Sequence, residues 1–286
     1  SYVSSLALSG PPIGIAVDAS GNLYVVYAIG TLYYVSSYTS AYVLRWTYGP
    51  IASTYAPGHI ATDGTHVYIC YRDSNNVQKN LASTGAAVSF WGSAGSGDGQ
   101  FNFPSGIDTD GVHVYVADRN NSRVQKFTTA GVFVAKWGVS GTGNGQLDDP
   151  TGVALDDSGD VWVCDYSNNR LQQFTNTGTY QTQIAQASPQ GIGIASGDVL
   201  WVSNSTSNNV AKWDETGGGY GQIAVDIGGS VSDYIGPGNR VSSIGQSATA
   251  TATGPTTVTF NVYGKATSGT MTLQGITLSA TAVPRH

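Results

Sequence analysis

A chain of 286 residues with net charge −6 and only 12 Lys and Arg lacks the basic surface that phosphate neutralisation requires, so nucleic acid is not an expected partner. Charged residues make up 10% of the chain, against about 25% in an ordinary soluble domain, and 38 residues are glycine. No apolar stretch reaches roughly 18 residues, which excludes a helical membrane span. A surface solvated mainly by hydroxyls and amides points to a place outside the cell, at the cell surface or on a virion.

In chain order, the opening SYVSSLALSG has no signal-peptide pattern and reads as a strand over residues 2–8. From Pro11 a unit begins to recur. Its first strand lies near a Pro-Gly pair: PPIGIAVD from Pro11, PGHIATD from Pro57, PSGIDTD from Pro104, PTGVALD from Pro150 and PQGIGIA from Pro189. A tight turn follows, such as ASGN, DGTH, DGVH, DDSGD or SGD, in which Gly and Asp tolerate positive φ. The second strand is LYVVY, VYICY, VYVAD, VWVCD or LWVSN. An Asn-rich turn leads to a third strand, VQKN, VQKF, LQQF or VAKW, and a Thr-Gly turn to a fourth, ending as VSFWG or VAKWG. The phrase VYICYRDSNNVQKN at Val67 thus returns at Val114, Val161 and Leu200, at offsets of 47, 47 and 39 residues.

Four antiparallel strands in roughly 45 residues match the span of one propeller blade. The second strands are apolar at successive positions, so both of their faces must be buried. Sheets stacked radially against like sheets meet that demand, which predicts a β-propeller. No sustained 3.6-residue periodicity supports helical repeats. Beyond GGSVSDYIGPGN the segments RVSSIGQSATATA, TTVTFNVYG and GTMTLQGITLSATA are strand-rich without the repeated phrase. Two readings of them stand. They supply strands of a last blade whose outer strand is residues 2–8, or they form a small β-sandwich, as the same-face alternation of Val258, Phe260 and Val262 suggests. The division expected is a propeller over 1–227 and a C-terminal β segment over 228–286.

GQFNFPSGIDTDGVHVYVADRNNSRVQKFTTAGVFVAKWG, starting at Gly99, and GQLDDPTGVALDDSGDVWVCDYSNNRLQQFTNTG, starting at Gly145, resemble NHL repeats. The resemblance runs from about Pro11 to Val225. It implies an all-β propeller of four-stranded blades, with six blades favoured where five units are legible. It is specific for the repeat and not for a function, because NHL members include protein-binding and RNA-binding modules and related propellers include lyases and hydrolases.

In a four-stranded meander the turns between strands two and three share an end with the inter-blade connections. That end carries Tyr71, Arg72, Asp73, Asp118, Arg119, Asn120, Asp165, Tyr166, Asn168 and Asn204. It also carries the long loops GSAGSGDGQFN from Gly92 and GVSGTGNGQLD from Gly138. Binding residues favour long loops on a rigid scaffold, so this end is the expected recognition surface, with Tyr71 and Tyr166 as aromatic anchors. The alternative for each Asp and Asn is a turn cap bonding its own backbone. His59 replaces a glycine on an innermost strand and, with Asp108 from the next unit, lines the expected channel. His66 and His113 fall at the opposite end and His286 is the last residue, so no second histidine reaches the channel and no metal or other cofactor is expected. The resemblance to amidating lyases of related fold implies several channel histidines with a metal, a set missing here. The Gly-rich loops lack the Gly-Lys-Ser/Thr ending of a phosphate loop, and Asp98, Asp148 and Asp149 lack calcium-ligand spacing. NNS at Asn120 and NST at Asn204 are glycan acceptor patterns. Cys70 and Cys164 occupy equivalent places in non-adjacent units and are expected to be buried free thiols.

These features favour a non-enzymatic extracellular recognition or adhesion module that binds a protein or glycan through the loop-rich end. The alternative is a hydrolase or lyase working at the channel mouth near His59. A further reading is an assembly subunit whose C-terminal strands add to a neighbouring copy, giving a homo-oligomer.

Overall fold

The computed structural model describes residues 8–206, 209–215 and 220–225, and the backbone of short strands at 261–262, 270–273 and 276–279. Five antiparallel sheets are arranged as the blades of a propeller, each a meander of four strands, with one short further strand added to the edge of the fifth. Blade one comprises β1 (Pro12–Val17), β2 (Leu23–Ile29), β3 (Leu32–Tyr38) and β4 (Leu44–Ile51). Blade two comprises β5 (Pro57–Thr62), β6 (His66–Tyr71), β7 (Asn76–Leu81) and β8 (Ala87–Trp91). Blade three comprises β9 (Pro104–Thr109), β10 (His113–Asp118), β11 (Arg123–Thr128) and β12 (Phe133–Trp137). Blade four comprises β13 (Pro150–Leu155), β14 (Val161–Asp165), β15 (Arg170–Phe174) and β16 (Tyr180–Ala185). Blade five comprises β17 (Pro189–Ala195), β18 (Val199–Asn204), β19 (Asn209–Glu215) and β20 (Tyr220–Val225). Each blade is a simple meander, and the innermost strands β1, β5, β9, β13 and β17 pack against one another in that order.

The second strands explain why the repeat is apolar on both faces. Side chains along a strand alternate in direction, so one strand feeds two interfaces. In β6, Ile69 and Tyr71 join Tyr24, Val26 and Ile60 between blades one and two, while Tyr68 and Cys70 join Ile107, Val114 and Phe127 between blades two and three. The same division places Tyr115 and Ala117 with Val153 and Val163, and Trp162 and Cys164 with Ile192 and Val202. Each fully buried aliphatic side chain of this kind stabilises by about 1.5–3 kcal/mol. The outermost strands alternate instead, leaving Phe90 and Val134 exposed at the rim.

An aspartate in the first turn of four blades does more than tolerate turn geometry. Asp63 Oδ1 accepts the Thr65 and His66 N–H groups, and Oδ2 accepts the Tyr68 hydroxyl at 2.8 Å. Asp18 with Tyr24, Asp110 with Tyr115 and Asp156 with the Trp162 indole repeat the arrangement. Burial opposes ionisation of Asp63, but the His66 N–H, the Tyr68 hydroxyl and the Thr65 N–H outweigh it and hold the carboxyl below its ordinary range. The clasp ties each first turn to an aromatic ring buried between blades.

Cys70 and Cys164 are buried free thiols, as expected from their spacing. The Cys70 thiol donates to the Ser105 carbonyl at 2.9 Å in the next blade, and burial pushes its pKa up to about 12. A side chain in place of Gly58 would set its Cβ 2.6 Å from that same carbonyl oxygen and 2.7 Å from Cys70 Sγ, so only glycine lets β5 approach β9 this closely.

Among the C-terminal residues, β21 (Asn261–Val262) pairs antiparallel with the outer edge of β20, and β22 (Thr270–Leu273) forms a hairpin with β23 (Ile276–Ser279). The choice between a closing blade and a separate sandwich, the outer strand expected over residues 2–8 and the sixth blade favoured from sequence lie outside the described residues. No helix among the described residues is long and apolar enough to cross a membrane.

Candidate functional site

The loop-rich end is held by two buried polar hubs that the repeat builds on one plan, with Arg170 giving one donor to Gln183 where Arg123 gives it to a loop carbonyl. In blade three, Asp118 at the end of β10 faces Arg123 at the start of β11. Arg123 Nε donates to Asp118 Oδ2 at 2.7 Å, and its Nη groups donate to the carbonyls of Ser96, Gly97 and Gln100 at 2.8 Å each. Gln125 bonds both Asp118 and the Gln100 carbonyl. In blade four Asp165, Arg170 and Gln172 grip the carbonyls of Gly143 and Gln146 in the same way. A buried ion pair holds only when its remaining donors are satisfied, and these long loops supply the acceptors. The loops carry few apolar side chains, so the hubs set their course.

Blade two lacks the hub. Tyr71 stands at the register position of Asp118, and Asn76 at that of Arg123. The Tyr71 hydroxyl and Gln78 Nε2 are consequently buried without a hydrogen-bond partner among the described residues.

This placement sorts the candidate contact residues. Tyr71, Asp118, Asp165 and Asn204 are buried. Tyr71 packs into the interface between blades one and two, so it does not stand out as an aromatic anchor. Asp118 and Asp165 belong to the hubs, and Asn204 Oδ1 accepts the Gln186 side-chain amide at 2.8 Å. Arg72, Arg119, Tyr166 and Asn168 are half-buried, and Asp73 and Asn120 are exposed. Arg72, Arg119, Tyr166 and Ser205 are equivalent positions, each directly after its second strand. They stand at the loop-rich end in successive blades. Asn168 donates to the Gly141 carbonyl and to Asp165, while Asn120 Nδ2 donates to Asn102 Oδ1 at 3.2 Å.

The geometry adds contacts that the sequence did not show. Arg119 makes a bidentate pair with Asp149, both contacts at 2.6 Å. The guanidinium carbons of Arg72 and Arg119 lie 5.5 and 5.6 Å from the centre of the same Phe103 ring. Phe103, Asp149 and Ser188 each precede the proline that opens an innermost strand, and each has positive φ, 59°, 57° and 43°. Residues before proline normally adopt extended backbone, so sequence pointed away from this conformation. Strain of this kind costs about 1–3 kcal/mol per residue and is held by surrounding structure. For Phe103 that support includes its N–H, which donates to Asn75 Oδ1 at 2.7 Å.

His59 and Asp108 sit on adjacent innermost strands, both 8% exposed. They occupy different levels: His59 is the third residue of β5 and Asp108 the fifth of β9. Asp108 turns to the next blade, where its Oδ2 accepts the Leu155 N–H at 2.8 Å. Burial, and then the charge of Arg72, lower the His59 pKa to about 4, so the imidazole is neutral at pH 7. His66 and His113 lie at the opposite end, each beside the clasp aspartate of its own turn. Asp98 is paired with Lys136 and Asp149 with Arg119. Among the described residues no group of three His, Cys, Asp or Glu side chains is placed to hold a metal ion.

The NHL repeat model matches residues 101–127 and 147–174, the inner three strands of blades three and four with the loop residues leading into them. Blades three and four carry NHL repeats. No curated protein matches it in sequence. In fold, the propeller is similar to selenomethionine-substituted virginiamycin B lyase from Staphylococcus aureus, with 16% identity and a TM-score of 0.58 over 77% of this chain and 72% of that one. It is similar to a streptogramin B lyase, with 17% identity and a TM-score of 0.58 over 76% and 70%. It is also similar to a chain of a nidogen/laminin complex, with 16% identity and a TM-score of 0.55 over 72% and 76%. At these identities the likeness is one of fold.

Proposed function

We propose that the NHL propeller is a non-enzymatic recognition module acting outside the cell, on a cell or virion surface, and that it binds a protein or glycan through its loop-rich end. The observation that carries this reading is the contrast within that end. Buried Asp–Arg–Gln hubs fix the long loops, while Arg72, Asp73, Arg119, Asn120 and Tyr166 keep solvent-facing surface around the channel mouth. Side chains held by a rigid framework lose little freedom on binding, which favours affinity. The test is a glycan array and a pull-down with Tyr166→Ala combined with Asn120→Ala. Loss of the partner with an unchanged melting temperature supports this surface, and unaltered binding removes it. Asp165 is unsuitable for that test, because it belongs to a hub.

A second reading, a hydrolase or lyase at the channel mouth, draws on the neutral imidazole of His59 and on fold likeness to two lyases. Its test is turnover that disappears in His59→Gln. Activity that persists in that variant removes His59 from the reading.

A further inference from the structure

Five arginines lie among the described residues, and four of them commit their guanidinium groups. Arg45 donates to Tyr24 and Ser37, Arg119 to Asp149, Arg123 to Asp118 and three carbonyls, and Arg170 to Asp165, Gln183 and two carbonyls. Arg72 differs. Its guanidinium makes no hydrogen bond and no ion pair among the described residues, and its Nε is closed to solvent without a partner. Its guanidinium carbon is held 5.5 Å from the centre of the Phe103 ring. A cation stripped of part of its hydration and given no counter-charge is costly. The neighbouring Arg119 carries no such deficit, since Asp149 neutralises it.

The surroundings narrow what can supply the missing charge. The side chains exposed beside Arg72 and Phe103 are the amides Asn102 and Asn120 and the carboxylate of Asp73, which makes no ion pair with Arg72, with Asn75 half-buried next to them. Amides offer paired donors and acceptors of the kind sugar hydroxyls use. Of the exposed large apolar side chains at this end, Ile29, Leu32 and Val139 belong to blade one and to the loop before β13, while Tyr55 comes near Arg72, because the carbonyl of the adjacent Ala56 accepts the Arg72 backbone N–H. A protein hot spot would call for an aromatic or aliphatic anchor at the centre. Phe103 cannot offer a clear ring, because both arginines lie against it.

We propose that the channel mouth between blades two and three is an anion subsite centred on Arg72, and that its ligand is a saccharide carrying a singly charged carboxylate or sulfate ester. The planar guanidinium meets either group through parallel N–H donors, and the adjacent amides take hydroxyls of the same sugar. His59, close enough for the Arg72 charge to act on it, marks the inner boundary of the subsite. This inference rests on the loop-rich end being the recognition surface and names the chemistry it would recognise.

The experiment titrates the full chain with oligogalacturonate, with a sulfated galactan oligosaccharide and with neutral oligogalactose, reading affinity by calorimetry and the His59 imidazole by NMR. At least one anionic oligosaccharide is expected to bind about ten- to a hundredfold more tightly than the neutral one. The tighter of the two identifies the group. Arg72→Gln is expected to abolish the preference, and Arg72→Lys to keep part of it, because charge remains while the fork is lost. Binding is also expected to shift the His59 resonances in wild-type protein, which reads the site without a variant. Equal binding of charged and neutral sugars, no binding of either anion, an unmoved His59 signal, or a preference that survives Arg72→Gln overturns the proposal. A partner lost with Tyr166→Ala and Asn120→Ala but retained by Arg72→Gln leaves the recognition surface standing and overturns the anion subsite alone.

Discussion

Arg123 and Asp118 form a 2.7 Å ion pair in which the aspartate side chain is fully buried and the arginine 7% exposed. Arg170 and Asp165 repeat it one blade on at 2.6 Å. Each pair joins adjacent strands of one blade and reaches into the loop that connects it to the preceding blade. Removing one partner strands a buried charge and releases loop carbonyls. Asp118→Ala or Asp165→Ala is therefore expected to cost about 3–5 kcal/mol in urea unfolding. Tyr166→Ala, next in sequence to Asp165 but half-buried at the surface, is expected to change stability by less than about 1 kcal/mol.

His59 gives the fold an acid-sensitive point. Its folded-state pKa of about 4 lies below the ordinary 6.5 because of burial first and the Arg72 charge second. Between these values the unfolded chain binds a proton that the folded chain refuses, so stability falls as pH drops through that window. The difference amounts to about 3 kcal/mol when the window has been crossed. His59→Gln is expected to remove this component from the pH dependence of unfolding. Arg72→Gln is expected to raise the imidazole pKa, as read by NMR titration.

The aspartate clasps predict an ordered pair of losses. Tyr68→Phe removes one bond to Asp63 and is expected to cost about 1–2 kcal/mol. Asp63→Ala removes that bond and the two accepted from Thr65 and His66, so its cost in urea unfolding should be greater.

The two glycan acceptor patterns should behave differently. Asn120 is exposed, whereas Asn204 is buried with its side chain bonded to Gln186. Protein made in a glycosylating secretory host and mapped by mass spectrometry is expected to carry sugar at Asn120 and none at Asn204. Modification at Asn204 would mean that blade five opens there.

Much of the scaffold was legible because its cause is local. The spacing of strand, turn and strand, with Asp or Gly where positive φ is tolerated, fixes a four-stranded meander. The doubly apolar second strands then demand neighbours on both faces. Asp118 and Asp165 were visible as repeated residues, but exposure was not. Nothing in VYVAD or VWVCD says that the aspartate turns inward to an arginine five residues later, and the assignment to a contact surface missed that burial. Phe103 was overlooked, and Asp149 was weighed only as a calcium ligand, because their importance comes from residues far away in sequence, 30 positions to Arg119 and 31 back to Arg72.

By itself the sequence determined the repeat, the all-β blades, the inertness of Cys70 and Cys164 and the end at which the long loops gather, since each follows from periodicity and turn chemistry within about one unit. Only the tertiary structure decided which polar residues are framework and which face solvent. It placed Arg72 and Arg119, from different blades, against one phenyl ring and left the first of them without a counter-charge among the described residues. That outcome depends on how neighbouring sheets meet at the channel mouth, where interactions between blades outweigh local preference.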